Sequence, residues 1–116
     1  MSDIEIVGES FHQDEIRKIA KRVGKAEFSI TLRPEPNNPY DENAVAVDVD
    51  GVSVGHLAKG MAKDWQSMIL SAEAEGFSVV GAATVCGGTD DKPNLGVFGS
   101  APWPGRGAPP SLQKSL

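Results

Sequence analysis

Asp50-Gly51, set between Val45-Ala46-Val47-Asp48-Val49 and Val52-Ser53-Val54, constrains this chain more than any other feature. An Asp-Gly pair between two alternating runs suits a two-residue type I′ turn, which needs positive φ at both central positions. It predicts a hairpin in which Val49 faces Val52, Val47 faces Val54 and Val45 faces His56. His56 then ends the valine row, at the sheet end where the preceding segment enters. That segment, Arg33-Pro-Glu-Pro-Asn-Asn-Pro-Tyr-Asp-Glu-Asn43, holds three prolines, three asparagines and an aspartate. Such residues fix turns through preset φ and side-chain-to-backbone hydrogen bonds. A rigid polar loop on a strand scaffold is a common seat for binding residues. Tyr40, Asp41 and His56 are therefore expected to be neighbours.

The rest of the chain alternates between strand and helix patterns. Ile4 and Ile6 suggest a first strand reaching about His12. Asp14 and Glu15 open a helix that runs to Val23, with Gly24 as its stop. Phe28, Ile30 and Leu32 line one face of a strand spanning Ala26 to Arg33. A second helix is predicted from Lys59 to Glu75, with Met61, Trp65, Met68, Ile69 and Ala72 at helical spacing. Strands follow at Phe77–Cys86 and Leu95–Phe98, separated by a polar loop. The order is β-α-β-β-β-α-β-β, an α+β chain dominated by antiparallel strands. A partly closed, six-stranded OB-like barrel with two helices fits it, and so does an open two-layer sheet. From Ala101 the composition turns to Pro and Gly, so residues 1–100 are expected to form the domain and 101–116 a disordered tail.

Charge limits the functional classes. The 116 residues carry a net charge of −5, which argues against strong non-specific nucleic-acid binding, because that mode relies on many Lys and Arg contacts. The sum hides a local feature: Arg17, Lys18, Lys21, Arg22 and Lys25 are five of the eleven basic residues. On a helix they would cover a face about 140° wide at ~100° per residue. No apolar run approaches the ~20 residues that span a bilayer. The N-terminus lacks the basic start and apolar core of a signal peptide, so a cytoplasmic protein without a membrane partner is expected. Cys86 is the single cysteine, which excludes an intrachain disulfide. His12, His56 and Cys86 lack the paired spacing of a zinc site. The glycines after Cys86 match neither the dinucleotide fingerprint nor the P-loop. No catalytic residue, metal or cofactor is expected, and a non-enzymatic module is the reading.

Asn37-Asn38-Pro39-Tyr40-Asp41, then Asn43-Ala44-Val45-Ala46-Val47, then Val54-Gly55-His56-Leu57 resemble the HIRAN family. Ile6-Val7-Gly8-Glu9-Ser10-Phe11 is similar to its first strand, and the resemblance spans roughly Ile4 to Phe98. It favours the barrel. It also implies a module that holds a single-stranded DNA 3′ end, in DNA repair or phage replication, with a separately encoded helicase or nuclease as a candidate partner. The site residues it implies are Phe11, His12, Arg33, Asn38, Tyr40, Asp41, His56 and Lys59. Tyr40 would stack on a base, and Asp41 would accept a bond from a terminal hydroxyl. Lys59, at a helix start, would suit a phosphate. Phe11 fits the family's aromatic position, and His12 is a weaker substitute for a stacking tyrosine. Ser10 stands where a DNA-binding member carries an arginine, and Arg33 is the candidate replacement for that cation.

Each residue also has a plainer role open to it. Tyr40 is a possible loop anchor against the core, Asn38 and Asp41 possible Asx-turn residues, and His56 a possible structural histidine. The competing functional reading is a protein-interaction or regulatory module that kept the fold without DNA affinity. Its basis is the acidic charge, Ser10 and the Pro-rich tail.

Overall fold

The structure, a computed structural model, describes residues 2–91, 93–102 and the backbone of 112–114. Its strands are β1 (Ser2–Ile4), β2 (Ile6–Val7), β3 (Phe28–Pro34), β4 (Val45–Val49), β5 (Val52–Leu57), β6 (Phe77–Gly87), β7 (Leu95–Ala101) and β8 (Leu112–Lys114). Two helices, α1 (Gln13–Val23) and α2 (Lys59–Ala74), and a 3-10 turn at Glu9–Phe11 complete the order. The sheet is antiparallel, with neighbours in the sequence β1-β7-β6-β3-β4-β5-β2.

The expected first strand divides in two. Ser2, Asp3 and Ile4 pair with Ala101, Ser100 and Gly99 of β7, whereas Ile6 and Val7 pair with Leu57 and His56 of β5. The chain changes partner at Glu5, whose carbonyl accepts a bond from Ala58 N at 2.9 Å. Because β1 and β2 are consecutive, this exchange closes the sheet into a barrel-like circuit. The six expected strands thus become seven around the barrel. The first strand also stops earlier than expected. Gly8, at φ +78°, turns the chain into the 3-10 segment where continuation to His12 was predicted.

The core follows the alternation of β3. Phe28, Ile30 and Leu32 are buried and Ser29, Thr31 and Arg33 exposed. Val45, Val47, Val54 and Val79 join them, fully buried. The two helices close opposite ends. At one end α1 buries Ile16 and Ile19, and Arg22 reaches the hairpin turn at Asp50, 3.3 Å away. At the other end α2 buries Ala62, Trp65, Gln66, Ile69 and Ala72. There Gln66 Nε2 donates to the carbonyls of Glu42 and Ala44 at 2.8 and 3.0 Å, anchoring the segment that enters β4.

The Asp50-Gly51 turn forms with φ +51° and +81°, and Val49 pairs with Val52 as predicted. Beyond it the register departs from expectation. Asp48 pairs with Ser53, but Val47 pairs with Gly55 and Ala46 with His56, so Val54 is an extra residue in a β-bulge. Gly55 explains the shift: a Cβ there would lie 2.8 Å from both Ile6 Cγ2 and the Val7 carbonyl oxygen. The bulge presents the residue without a side chain to the inward side, where β2 crosses close by. His56 is consequently turned to the outer face, with Ala46, instead of ending the inward valine row.

The expected tail falls mainly outside the described residues. Within it, Ala101 closes β7, and Leu112–Lys114 pairs with Phe77–Val79 along β6, a length of β6 that β7 leaves unpaired.

Candidate nucleic-acid interface

The outer face of the barrel carries a row of residues in register across four strands. Arg33 pairs with Ala46, Ala46 with His56, and His56 with Val7. Ala46 is too small to separate its neighbours, and Glu35, two residues beyond Arg33, spans the gap. One Glu35 oxygen accepts from Arg33 Nη1 at 3.0 Å. The other lies 2.7 Å from His56 Nε2 and accepts from Asn38 Nδ2 at 3.3 Å. Beneath them, Asp48 accepts from Arg33 Nε at 2.7 Å and Nη2 at 3.3 Å. This network covers the outward side chains of β4, so that Ala46 and Asp48 are buried.

The electrostatics follow from the same bonds. Burial by itself pushes the Glu35 carboxyl up. The hydrogen bonds from His56 and Asn38, with the His56 charge and the Arg33 bond, outweigh it and leave Glu35 below the ordinary carboxylate range. The Asp48 hydrogen bond, against a smaller opposing effect of burial, raises the Arg33 guanidinium pKa. Arg33 is thus held by two carboxylates, and its charge is neutralised within the protein.

The loop beyond Glu35 is fixed by its own side chains. Asn38 Oδ1 accepts from the backbone N–H of Tyr40 at 2.8 Å and of Asp41 at 3.2 Å. Asp41 Oδ1 accepts from Asn43 N at 2.9 Å. Backbone bonds from Glu35 N to Ala44 O and from Asn38 N to Glu35 O complete the frame. Tyr40 therefore has a fixed backbone and is 94% exposed, so it does not anchor the core. Asp41 Oδ2 carries no bond among the described residues.

The structure gathers Arg33, Asn38 and His56 around one carboxylate, and ties Tyr40 and Asp41 to them through the backbone. Glu35, the centre of this arrangement, was not singled out in the sequence. Its signal was Arg-x-Glu leaving a strand, two positions on one face, but its partners depend on the cross-strand register. Phe11, His12 and Lys59 make no bond to the network. Phe11 ends the 3-10 turn and is 85% exposed, and His12 precedes α1 without a side-chain cap bond. Both follow β2, on the far side of His56 from the loop. Lys59 is exposed at the first position of α2.

An open cleft of about 650 Å³ lies beside the 3-10 turn, between Val7–Ser10 and the β6–β7 connection at Cys86–Gly87 and Pro93–Gly96. Glu9 crosses its base, its Oε2 accepting from Val97 N at 2.7 Å. Among the described residues no group of three or more His, Cys, Asp or Glu side chains is placed to hold a metal ion, and no helix is long and apolar enough to cross a membrane.

A small antiparallel barrel with a rigid, aromatic-bearing loop on its outer face defines a binding module. The HIRAN domain profile matches residues 1–95, and the chain belongs to the HIRAN domain family, whose members are nucleic-acid-binding rather than catalytic modules. No curated protein matches the chain significantly. A crystal structure of a protein from Lactobacillus plantarum is similar in fold, with a TM-score of 0.57 at 23% identity, covering 85% of this chain and 89% of that one.

Proposed function

We propose that this protein binds the 3′ end of single-stranded DNA at the Glu35–Asp41 loop, and that it serves DNA repair or phage replication in the cytoplasm. The observation that carries the reading is Tyr40, an almost wholly exposed aromatic residue on a backbone fixed by the bonds of Tyr40 N and Asp41 N to Asn38 Oδ1. An exposed aromatic on a preorganised loop loses little freedom on stacking, and such stacking contributes ~1–3 kcal/mol per base. Asp41 Oδ2 accepts the terminal hydroxyl, since a carboxylate welcomes a donor and repels a phosphate. Lys59, with the first N–H groups of α2, meets a phosphate further along the strand. Phe11 provides a second stacking surface beyond His56, with His12 next to it.

Arg33 takes a different part from the one its position suggested. Its bonds to Asp48 and Glu35 make it a support for the loop, so the cation absent at Ser10 is not replaced by a free guanidinium. Modest, salt-sensitive affinity follows. A fluorescence polarisation titration with strands ending in 3′-hydroxyl or 3′-phosphate, at two salt concentrations, tests the proposal. Preference for the hydroxyl end is expected, and equal binding of both ends rejects end recognition. The neutralised Arg33 and the acidic chain favour a second reading, a protein-interaction module paired with a separately encoded helicase or nuclease. Absence of binding to any strand at low salt selects it.

A further inference from the structure

The acidic net charge is unevenly spread. Residues 13–25 hold five basic and two acidic side chains, a local charge of +3, so the remainder of the chain carries −8. The structure separates the basic residues of this segment into two kinds. Arg17 is paired with Asp14 at 3.0 Å and Arg22 with Asp50 at 3.3 Å. Lys18, Lys21 and Lys25 are exposed and form no ion pair among the described residues. Lys25 lies beyond α1, because Gly24 at φ +61° ends the helix, so Lys18 and Lys21 are the free cations of the helical face.

A cleft of about 210 Å³ adjoins Lys18, with Ile19, Val49, Val52 and Val54 as its apolar floor; Glu15, Lys18, Arg22 and Asp50 stand around it, and Arg22 and Asp50 pair with each other. Val52 is 49% exposed there. The cleft itself is balanced in charge, so phosphates belong on the exposed, unpaired Lys18 and Lys21 at and beyond its rim, with a sugar or base against Val52. The position relative to the loop is also informative. The loop stands at the α2 end of the barrel and α1 at the other, and Phe11 and His12 lead from β2 directly into α1.

We propose that the exposed lysine face of α1 is a second nucleic-acid contact, a track for the backbone of a strand running away from the recognition loop. The direction of the strand rests on the end-binding reading, but the contact itself does not. Along β5 the two ends of the barrel are about 17–20 Å apart at ~3.3 Å per residue. At the stacked rise of ~3.4 Å per nucleotide, about five or six nucleotides span that distance, so a stacked dinucleotide held at the loop does not reach α1.

The test compares a 3′-hydroxyl dinucleotide with a strand of about twelve nucleotides, a length within the usual range for a single-strand groove. Both are titrated against the full chain, the Lys18→Ala/Lys21→Ala variant and the charge-keeping Lys18→Arg/Lys21→Arg variant. Wild type is expected to bind the long strand more tightly and with the steeper salt dependence. The alanine variant should lose most of that advantage, with a salt slope smaller by ~1.4 for two phosphate contacts on single strands. Its dinucleotide binding should be unchanged, and the arginine variant should behave as wild type. A wild-type protein that gains nothing from length, or an alanine variant that keeps the full gain, overturns the proposal. A long strand bound equally with hydroxyl or phosphate end, yet still dependent on Lys18 and Lys21, supports the track while removing the end-binding reading.

Discussion

Glu35 and His56, twenty-one positions apart, meet with Oε1 and Nε2 separated by 2.7 Å on the outer face of the barrel. The same oxygen accepts from Asn38, so a contact between the end of β3 and β5 also sets the first turn of the polar loop. The loop is thereby positioned by the sheet and not only by its prolines. Replacing Glu35 with Gln or Ala should loosen it and weaken binding to a 3′-hydroxyl strand, while circular dichroism shows an intact fold. Unaltered affinity in both variants would separate this carboxylate from the site.

The pH response has a definite sign. Glu35 is held below the ordinary carboxylate range in the folded protein. Its ionised form therefore contributes stability that is fully present above the unfolded value and is lost as pH falls through the lowered folded one. Denaturation midpoints taken from neutral pH into the acid range should show a larger acid loss for wild type than for Glu35→Gln. Parallel curves would show that the bonds to Glu35 contribute nothing net to stability.

Asp48 is the buried member of the neighbouring pair, with 8% of its side chain exposed against 49% for Arg33. Arg33→Ala should destabilise the protein by about 1–3 kcal/mol, the cost of leaving a buried hydrogen-bonding group without its partner. Arg33→Ala/Asp48→Ala should recover part of that loss. Urea unfolding of the two variants measures both quantities.

Gly55 sits where two backbones nearly touch. Gly55→Ala places a methyl 2.8 Å from the Val7 carbonyl oxygen, and backbone cannot yield as a side chain does. A loss of about 1–3 kcal/mol is expected, with faster hydrogen exchange at Ile6 and Val7 than in the rest of the sheet. Wild-type stability would mean that β2 moves aside without cost.

At the loop, Tyr40→Ala should leave thermal stability unchanged and weaken strand binding by about 1–3 kcal/mol. Asp41 needs a subtler substitution, because its Oδ1 holds Asn43 N. Asp41→Asn keeps an acceptor there and removes the charge, so it should narrow the gap between hydroxyl and phosphate ends while preserving the loop. Isothermal titration of the two strand types against each variant reports the result.

Much of the fold was legible in the sequence because local signals agreed. Asp50-Gly51 set its turn, the β3 alternation set its buried face, and Gly24 ended α1. The failures share one cause, close approach of segments distant in the chain. The register beyond Asp48 slips because Gly55 must admit β2, and no local pattern marks that need. The division of the first strand is hidden because Ile4 and Ile6 keep alternating inward through the change of partner at Glu5. Of the candidate site, the rigid loop and its nearness to His56 were legible, whereas Glu35 acquires meaning only once Arg33, Ala46 and His56 are aligned. Arg33 looked available because Asp48, its partner, reads as an ordinary polar position in a strand.

The shared first strand has a consequence for how the chain is made. Ser2 finds its partner in Ala101, ninety-nine positions later, and joining points so far apart is entropically costly and slow. A ribosome-bound chain can form the β3–β4–β5 meander early, but its seam stays unsealed until β7 has emerged. Through that interval β5 lacks its final neighbour if β2 has not docked, and an unpaired edge invites strands from other chains. Assembly of this barrel is therefore a late event, and its greatest exposure to misassociation comes just before the ends meet.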